Sequence, residues 1–124
     1  MKIQFHLITA GVVAAILVSP IVPRAGARSH PLTEEAALEL LQRTLKQDRV
    51  YEKRISLDCI AYGTEETTNT YFEFVLREIH NAKCAGDPET SPALNRYRVN
   101  RRSGKILQWQ AAEDTWQPYK RAAD

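Results

Sequence analysis

A helical pattern of apolar residues begins the part of the chain that is predicted to fold. The apolar positions recur at helical spacing, at Ala37, Leu38, Leu41 and Leu45. This spacing predicts an amphipathic helix over residues 33–47. Thr33 is a suitable N-cap residue, and Glu34 and Glu35 follow in the first turn, where the helix dipole favours acidic side chains. A helix this short needs a surface to pack against.

Alternating apolar and polar residues after the helix predict a sheet that supplies this surface. We expect four antiparallel strands, over residues 54–62, 70–80, 95–100 and 106–110. The residues predicted to face inward from the first two strands are Ile55, Leu57, Cys59, Ala61, Phe72, Phe74 and Leu76. Residues 63–69 are predicted to form a polar hairpin loop and residues 102–105 a turn. Trp109 shares a strand face with Leu107, which predicts that it belongs to the core.

The predicted fold class is α+β, with one N-terminal helix packed on a four-stranded antiparallel sheet as a two-layer sandwich. Residues 81–92 are rich in Gly, Asp, Pro and Ser, which predicts an ordered but exposed loop. Residues 111–119 are interpreted as a tail, in which Trp116 and Tyr119 form a hydrophobic lid over the core.

The N-terminus has the features of a secretory signal peptide over residues 1–27. Lys2 gives it a positive start, residues 7–18 are mostly apolar, and Ala25-Gly26-Ala27 fits the small-residue cleavage rule. We therefore expect a single domain over residues 28–124, soluble in the periplasm or secreted after cleavage. An uncleaved membrane anchor stays open as the alternative, although the apolar run is short for a membrane span.

Charge argues against a general nucleic-acid binder. The whole chain has 17 basic and 15 acidic residues. Removal of Lys2 and Arg24 with the signal peptide makes these numbers equal. A nucleic-acid-binding domain of this size should carry a basic excess, so no nucleic-acid partner is expected.

Two cysteines, Cys59 and Cys84, lie in the predicted mature chain. A small exported domain has a modest core and gains stability from a disulfide, so we expect these two to be bonded. A two-cysteine metal site is the weaker alternative, because no suitably spaced histidine cluster accompanies them.

The predicted strand order and the segment YRVNRRSGKILQW resemble PepSY-like and cystatin-like domains of small exported proteins of Gram-negative bacteria. In PepSY-like domains a turn of the form Ser103-Gly104-Lys105-Ile106 precedes the last strand. The resemblance implies the two-layer fold, and it implies association with the inhibition or regulation of peptidases. The chain lacks the glycine-containing loop signature of true cystatins.

The sequence does not predict a catalytic site. Neither cysteine is expected to be a free nucleophile, and His80 is interpreted as a strand-end histidine beside a structural disulfide. Asp87 and Glu89 in the 84–92 loop are too few to predict a calcium site, since calcium takes six to eight oxygens. No metal and no cofactor are expected.

The outward side of the sheet is the candidate binding surface. It is predicted to carry Asp58, Glu73, Arg77, Arg96 and Arg98, interleaved with Ile60, Tyr62, Tyr71, Val75 and Ile79. One interpretation is a ladder of solvated cross-strand charge pairs. The other is a recognition surface, since arginine and aromatic residues are enriched in interfaces. The residues predicted to contact a partner are Arg77, Asp87, Glu89, Arg96, Arg98, Trp116 and Tyr119.

These observations predict a non-catalytic, soluble periplasmic protein-binding module. Its most specific form is an inhibitor or immunity-type partner of an envelope peptidase or cell-wall hydrolase. Two alternatives stay open: a small periplasmic enzyme or ligand carrier that uses the 84–92 loop, and an envelope structural protein without a dedicated target.

The cleavage site is directly testable. The mature protein should begin at Arg28, because Ala25 and Ala27 place small residues at both positions that the cleavage rule requires. N-terminal sequencing of protein recovered from the periplasm checks this. Retention of Met1 would contradict it.

Overall fold

The computed structural model describes residues 30–121, which form one helix and a five-stranded antiparallel sheet. In chain order the elements are α1 (Glu34–Gln47), β1 (Ile60–Thr67), β2 (Tyr71–Glu78), β3 (Ala93–Asn100), β4 (Ile106–Gln110) and β5 (Thr115–Pro118). The predicted α+β class is confirmed, but the sheet has five strands rather than four. The predicted signal peptide lies outside the described residues. Within residues 30–121, no helix is both long and apolar enough to cross a membrane.

The helix is confirmed at the predicted position. The Thr33 hydroxyl accepts a hydrogen bond from the Ala36 N–H at 3.2 Å, which satisfies one of the free donors at the helix start. The helix lies on β2 and β3. Its buried side chains are three of the four that the spacing predicted to face inward: Ala37, Leu41 and Leu45.

The strands follow one another in the sheet in the same order as in the chain. The fifth strand corrects the predicted tail over residues 111–119. β5 pairs with β4, so that Trp116 lies directly opposite Trp109. The turn between these strands holds Asp114 in the left-handed region at φ 51°, a conformation that Asp tolerates better than most residues. Trp116 is therefore held by strand pairing and does not form the predicted lid over the core with Tyr119.

The first strand begins later than predicted. Residues 48–54 form turns, and β1 continues to Thr67 through most of the predicted loop over residues 63–69. β1 lies at the edge of the sheet, and most of its residues are exposed. Polar side chains are therefore acceptable on both of its faces, which is why this segment has the composition of a loop.

The faces of β1 also differ from the prediction. Ile60 is buried and Tyr62 packs against the core, although both were predicted to face outward. Leu57 is 39% exposed and Ala61 is exposed, although both were predicted to face inward. The cause is the short 3-10 helix at Leu57–Cys59, which interrupts the strand alternation and restarts it one residue out of step.

The core lies between α1 and the inward face of β2 and β3. The prediction for β2 is confirmed, and β3 adds two residues to the same layer: the buried side chains are Phe72, Phe74, Leu76, Tyr97 and Val99. The hydroxyl of Tyr97 lies 2.8 Å from the hydroxyl of Tyr51. Burial raises the pKa of both phenols, so they stay neutral and satisfy each other by a hydrogen bond.

Gly104 sets the register of β3 with β4. It takes a left-handed conformation at φ 71°, and its N–H donates to the Asn100 carbonyl at 2.9 Å. The resulting turn places Leu107 opposite Arg98. Because side chains alternate along a strand, Trp109 lies on the same side as Leu107. The prediction that Trp109 belongs to the core is therefore wrong: it lies on the face that points away from α1.

The predicted disulfide between Cys59 and Cys84 is confirmed, with 5.6 Å between the two Cα atoms. It ties the 81–92 loop to the start of β1. Both cysteines are buried, and the Asn81 side chain accepts a hydrogen bond from the Cys84 N–H at 2.8 Å. The loop is therefore anchored at its first turn.

Loss of either cysteine should destabilise the protein to a similar extent. Cys59→Ser and Cys84→Ser remove the same bridge, which closes a 25-residue separation and contributes about 3–4 kcal/mol through the entropy of the unfolded chain. Urea unfolding of both variants checks this. A difference above about 2 kcal/mol between them would show that one cysteine contributes chiefly through its packing.

Candidate functional site

The face of the sheet that points away from α1, the outer face, carries most of the residues predicted to bind a partner. The strand register aligns Glu73 with Arg98 and Val75 with Arg96. The residues that share this face are Tyr71, Glu73, Val75, Arg77, Arg96, Arg98, Leu107, Trp109 and Trp116. Tyr71 was already predicted to lie here, whereas Trp109 is an addition that the sequence interpretation missed.

Arg98 is the centre of this face. The carbon at the centre of its guanidinium lies 4.3 Å from the Tyr71 ring centroid and 4.2 Å from the Trp116 ring centroid. Its Nε donates to a Glu73 carboxylate oxygen at 2.8 Å, and Nη2 lies 3.6 Å from Glu66. In the strand order Tyr71 and Trp116 lie on opposite sides of β3. Arg98, on β3, therefore contacts side chains from three other strands, β1, β2 and β5.

A second contact extends this cluster toward the edge of the sheet. The Trp109 and Trp116 rings are cross-strand neighbours with centroids 5.4 Å apart. At the other end, the Tyr71 hydroxyl donates to Glu66 at 2.9 Å. We call Tyr71, Arg98, Trp109 and Trp116 the aromatic–arginine cluster.

Two residues beneath this layer are buried although no helix covers them. Glu73 is 8% exposed and Val75 is 6% exposed. The long side chains of Arg98 and Arg96, which lie opposite them, provide the cover. A carboxylate at this depth needs a partner of opposite charge, and Arg98 supplies it. The outer face is thus packed in the free protein, and the Glu73–Arg98 contact is a cross-strand charge pair within this packing.

The two remaining arginines are also fixed. Arg96 donates from Nε to Glu65 at 2.7 Å, and the side-chain carboxylate of Glu65 raises the pKa of this already basic guanidinium. Arg77 donates from Nη1 to the carbonyl of Ser91 at 3.2 Å. Arg77 therefore links the outer face to the 81–92 loop.

His80 holds this loop against the end of β2. Its Nδ1 lies 2.9 Å from the Asp87 carbonyl and 3.1 Å from the Thr90 hydroxyl, and its Nε2 lies 2.8 Å from Glu78. A carbonyl and a carboxylate both accept hydrogen bonds, so this arrangement favours a proton on each ring nitrogen. The sequence interpretation treated His80 only as a strand-end residue beside the disulfide.

Gly86 allows the histidine ring to lie flat against the loop. A Cβ atom at Gly86 would lie 2.5 Å from ring atoms of His80, and its φ of 122° suits glycine alone. The sequence does contain a signal for this contact that the interpretation did not use. His80 is at the end of a predicted strand, and Gly86 follows it in the loop.

Asp87 and Glu89 stay in the exposed loop as predicted. The Asp87 carboxylate accepts a hydrogen bond from the Glu89 N–H at 3.0 Å, which is a turn-forming contact. Within residues 30–121, no group of three or more His, Cys, Asp or Glu is placed to hold a metal ion.

Tyr119 does not join the other predicted partner-binding residues. Its ring packs edge-on against Tyr97 at 6.3 Å, and its hydroxyl donates to Asp48 at 2.8 Å. Both contacts lie on the helix side of the sheet. Trp116 and Tyr119, which were predicted to act together, are therefore on opposite faces, because the alternation of β5 separates them.

Comparison with protein-family models, with curated proteins and with solved structures finds no match for this chain. The resemblance to PepSY-like and cystatin-like domains therefore stays a prediction.

The His80 contacts predict a pH-dependent loop. The hydrogen bonds that His80 donates to the Glu78 carboxylate and to the Asp87 carbonyl raise the pKa of His80 above 6.5. A raised pKa in the folded state stabilises the loop at pH values below about 6.5 and loses this effect as the pH rises through the folded value. Amide hydrogen exchange of residues 81–90, corrected for intrinsic rates, should therefore be slower at about pH 6 than at about pH 8.5.

A matched variant separates this effect from general pH dependence. Glu78→Gln keeps a hydrogen-bonding side chain but removes the charge, so it should lower the pKa of His80 in an NMR titration and flatten the pH dependence of loop exchange. An unchanged His80 titration in this variant would contradict the assignment.

Proposed function

We propose that the protein is a non-catalytic, soluble protein-binding module of the bacterial envelope. Its partner docks on the outer face of the sheet, at the aromatic–arginine cluster. The observation that supports this most is the position of Arg98, which contacts Glu73 and two aromatic rings on different strands. The site is therefore ordered before a partner arrives.

The composition of the cluster fits a protein partner. Tyr, Trp and Arg carry a disproportionate share of binding energy in protein interfaces, and such residues are most effective when they are rigid. Trp109 and Trp116 each keep part of their surface accessible. Glu65 and Arg96 supply a charged rim beside the cluster, which matches the usual arrangement of an apolar centre and a polar border.

The 81–92 loop extends the same surface. Arg77 bonds to Ser91, and Ser91 in turn donates to the Glu78 carbonyl at 2.9 Å. The disulfide holds the first half of the loop at Cys84, and His80 holds the second half at Asp87 and Thr90. A loop fixed in this way by a rigid scaffold is a common site of recognition, so Asp87 and Glu89 are placed to add acidic contacts.

The more specific form of the proposal is an inhibitor or immunity-type partner of an envelope peptidase or cell-wall hydrolase. It rests on the predicted signal peptide, on the disulfide, which suits an oxidising compartment, and on the resemblance to PepSY-like and cystatin-like domains. The periplasm is the proposed location.

Affinity capture tests the function and the surface together. Protein immobilised through its C-terminus should retain one stoichiometric protein from an envelope extract. Trp116→Ala should weaken this complex at least tenfold, because truncation of an interface tryptophan typically costs more than 1 kcal/mol. Arg102→Ala is the control: Arg102 is exposed in the β3–β4 turn, and its loss should leave affinity within about twofold.

The outcomes separate the alternatives. Circular dichroism confirms that each variant is folded. Equal binding by the wild type and Trp116→Ala would place the interface elsewhere. Absence of any partner, together with turnover of a peptide or cell-wall substrate, would contradict the non-catalytic module.

A further inference from the structure

A second surface lies at the C-terminal end of α1, on the helix side of the sheet, whereas the aromatic–arginine cluster lies on the outer face. Two adjoining cavities meet there. The first, the apolar cavity, has a volume of about 300 Å³, and half of its eight lining residues are apolar or aromatic: Leu45, Tyr51, Ile55 and Leu57. Lys46, Arg49, Glu52 and Ser56 complete its lining. The second, the basic cleft, has a volume of about 570 Å³ and is lined by residues 48–50, 52–54, 108 and 119–121. Arg49 and Glu52 belong to both walls.

The apolar cavity exposes side chains that would normally be covered. Leu57 is 39% exposed and Val50, in the neighbouring cleft, is 37% exposed; these are the two large hydrophobic residues that are most open to solvent within residues 30–121. Scattered exposed hydrophobics are ordinary in proteins. Here, however, Leu57 forms part of a concave wall, which is the usual shape of a ligand site.

The basic cleft carries an excess of positive charge. Its cationic side chains are Arg49, Lys53, Arg54, Lys120 and Arg121, against two acidic side chains, Asp48 and Glu52. Both acids already have partners. Asp48 accepts from the Tyr119 hydroxyl at 2.8 Å, and Glu52 pairs with Arg49 at 2.9 Å. The formal charge of these side chains is +3, but Arg49 pairs with Glu52, Arg54 lies 3.9 Å from Glu78 and Arg121 lies 3.9 Å from Asp48. The positive charge most available to a ligand is therefore that of Lys53 and Lys120.

The helix end does not cancel this charge. A helix C-terminus normally presents unpaired carbonyl groups, which repel anions. Here the carbonyls of Thr44, Leu45 and Lys46 are bonded to the N–H groups of the three residues that follow the helix, at 2.9, 3.1 and 3.2 Å. An anion in the cleft would thus face arginine and lysine side chains rather than bare carbonyl oxygens.

We propose that this surface binds a single anionic amphiphile. Its apolar chain occupies the apolar cavity, and its carboxylate or phosphate head lies in the basic cleft. The combination follows from the residues that the two cavities share, since an apolar ligand would leave Lys53 and Lys120 without a counter-ion and a small anion would leave Leu57 exposed. A volume of about 300 Å³ is at the lower end for ligand sites, which favours one chain over two.

The chain's own N-terminal segment is a poorer occupant. Residues 7–18 are mostly apolar, but the basic residues Lys2 and Arg24 flank them and residues 1–27 contain no acid. The flanks therefore have the same sign as the cleft and are repelled by it. An external ligand with a negative head is complementary where this segment is not.

This proposal does not depend on the proposed protein-binding function. It uses a different part of the fold, and none of its residues belongs to the aromatic–arginine cluster. A variant that loses amphiphile binding should therefore still capture a protein partner on the outer face.

Isothermal titration below the micelle concentration tests the proposal. Dodecanoate and dodecyl phosphate represent the two anionic heads, dodecyl maltoside is the chain with a neutral head, and inorganic phosphate is the head without a chain. At least one anionic amphiphile should bind with a stoichiometry of one. Dodecyl maltoside and inorganic phosphate should each bind at least tenfold more weakly.

Two variants locate the site. Leu57→Gln should weaken binding at least fivefold by making the apolar cavity polar, and Lys53→Gln should weaken binding of the anionic ligands without affecting dodecyl maltoside. Both side chains are at the surface, so the fold should persist, and circular dichroism checks this. Arg102→Gln removes the same charge from the β3–β4 turn and should leave binding unchanged.

Three results would overturn the proposal. The first is equal binding of the neutral and anionic amphiphiles, which would show that the basic cleft takes no part. The second is loss of binding in Arg102→Gln to the same degree as in Lys53→Gln, which would indicate a non-specific charge effect. The third is binding only to vesicles of anionic lipid with no binding of the monomeric ligands, which would assign the patch to a membrane surface.

Discussion

One helix can cover only one face of the sheet, and the rest of the structure follows from this constraint. α1 covers the inward face of β2 and β3, so the outer face must be closed by its own side chains. Arg98 makes this possible, because it neutralises the buried Glu73 and lies over the rings of Tyr71 and Trp116. Loss of this arginine would leave a carboxylate buried without a partner, which is among the costlier changes a protein can suffer.

The same constraint explains where recognition chemistry accumulates. The side chains on the face that packs against α1 are buried in the core and cannot contact a partner. The arginine and aromatic side chains on the outer face remain partly accessible to solvent. The disulfide and the His80 contacts hold the 81–92 loop in one conformation, since this loop has no strand pairing of its own. Order on this side of the protein thus comes from side chains, and these side chains are the ones available to a partner.

The sequence correctly predicts the elements that have one buried side and one exposed side, because their apolar residues recur with a clear period. The capped helix and the apolar face of β2 are of this kind, and both are confirmed. The edge strands were predicted poorly, because solvent on both faces of β1 permits a loop-like composition and β5 is only four residues long. Trp109 was assigned to the wrong face, but counting residue pairs outward from the Gly104 turn would have placed Leu107 opposite Arg98. The aromatic–arginine cluster includes Trp116 of β5. The predicted four-stranded sheet did not contain this strand, so the cluster could not be predicted from it.

The central claim is that Arg98 is held rigidly in the free protein and organises the outer face. Nitrogen-15 relaxation of the arginine Nε–H groups tests it most directly, with the exposed Arg102 as the internal reference. The account predicts an order parameter for Arg98 near that of the rigid backbone, about 0.85, and a much lower value for Arg102. An Arg98 order parameter below about 0.6, similar to that of Arg102, would contradict it.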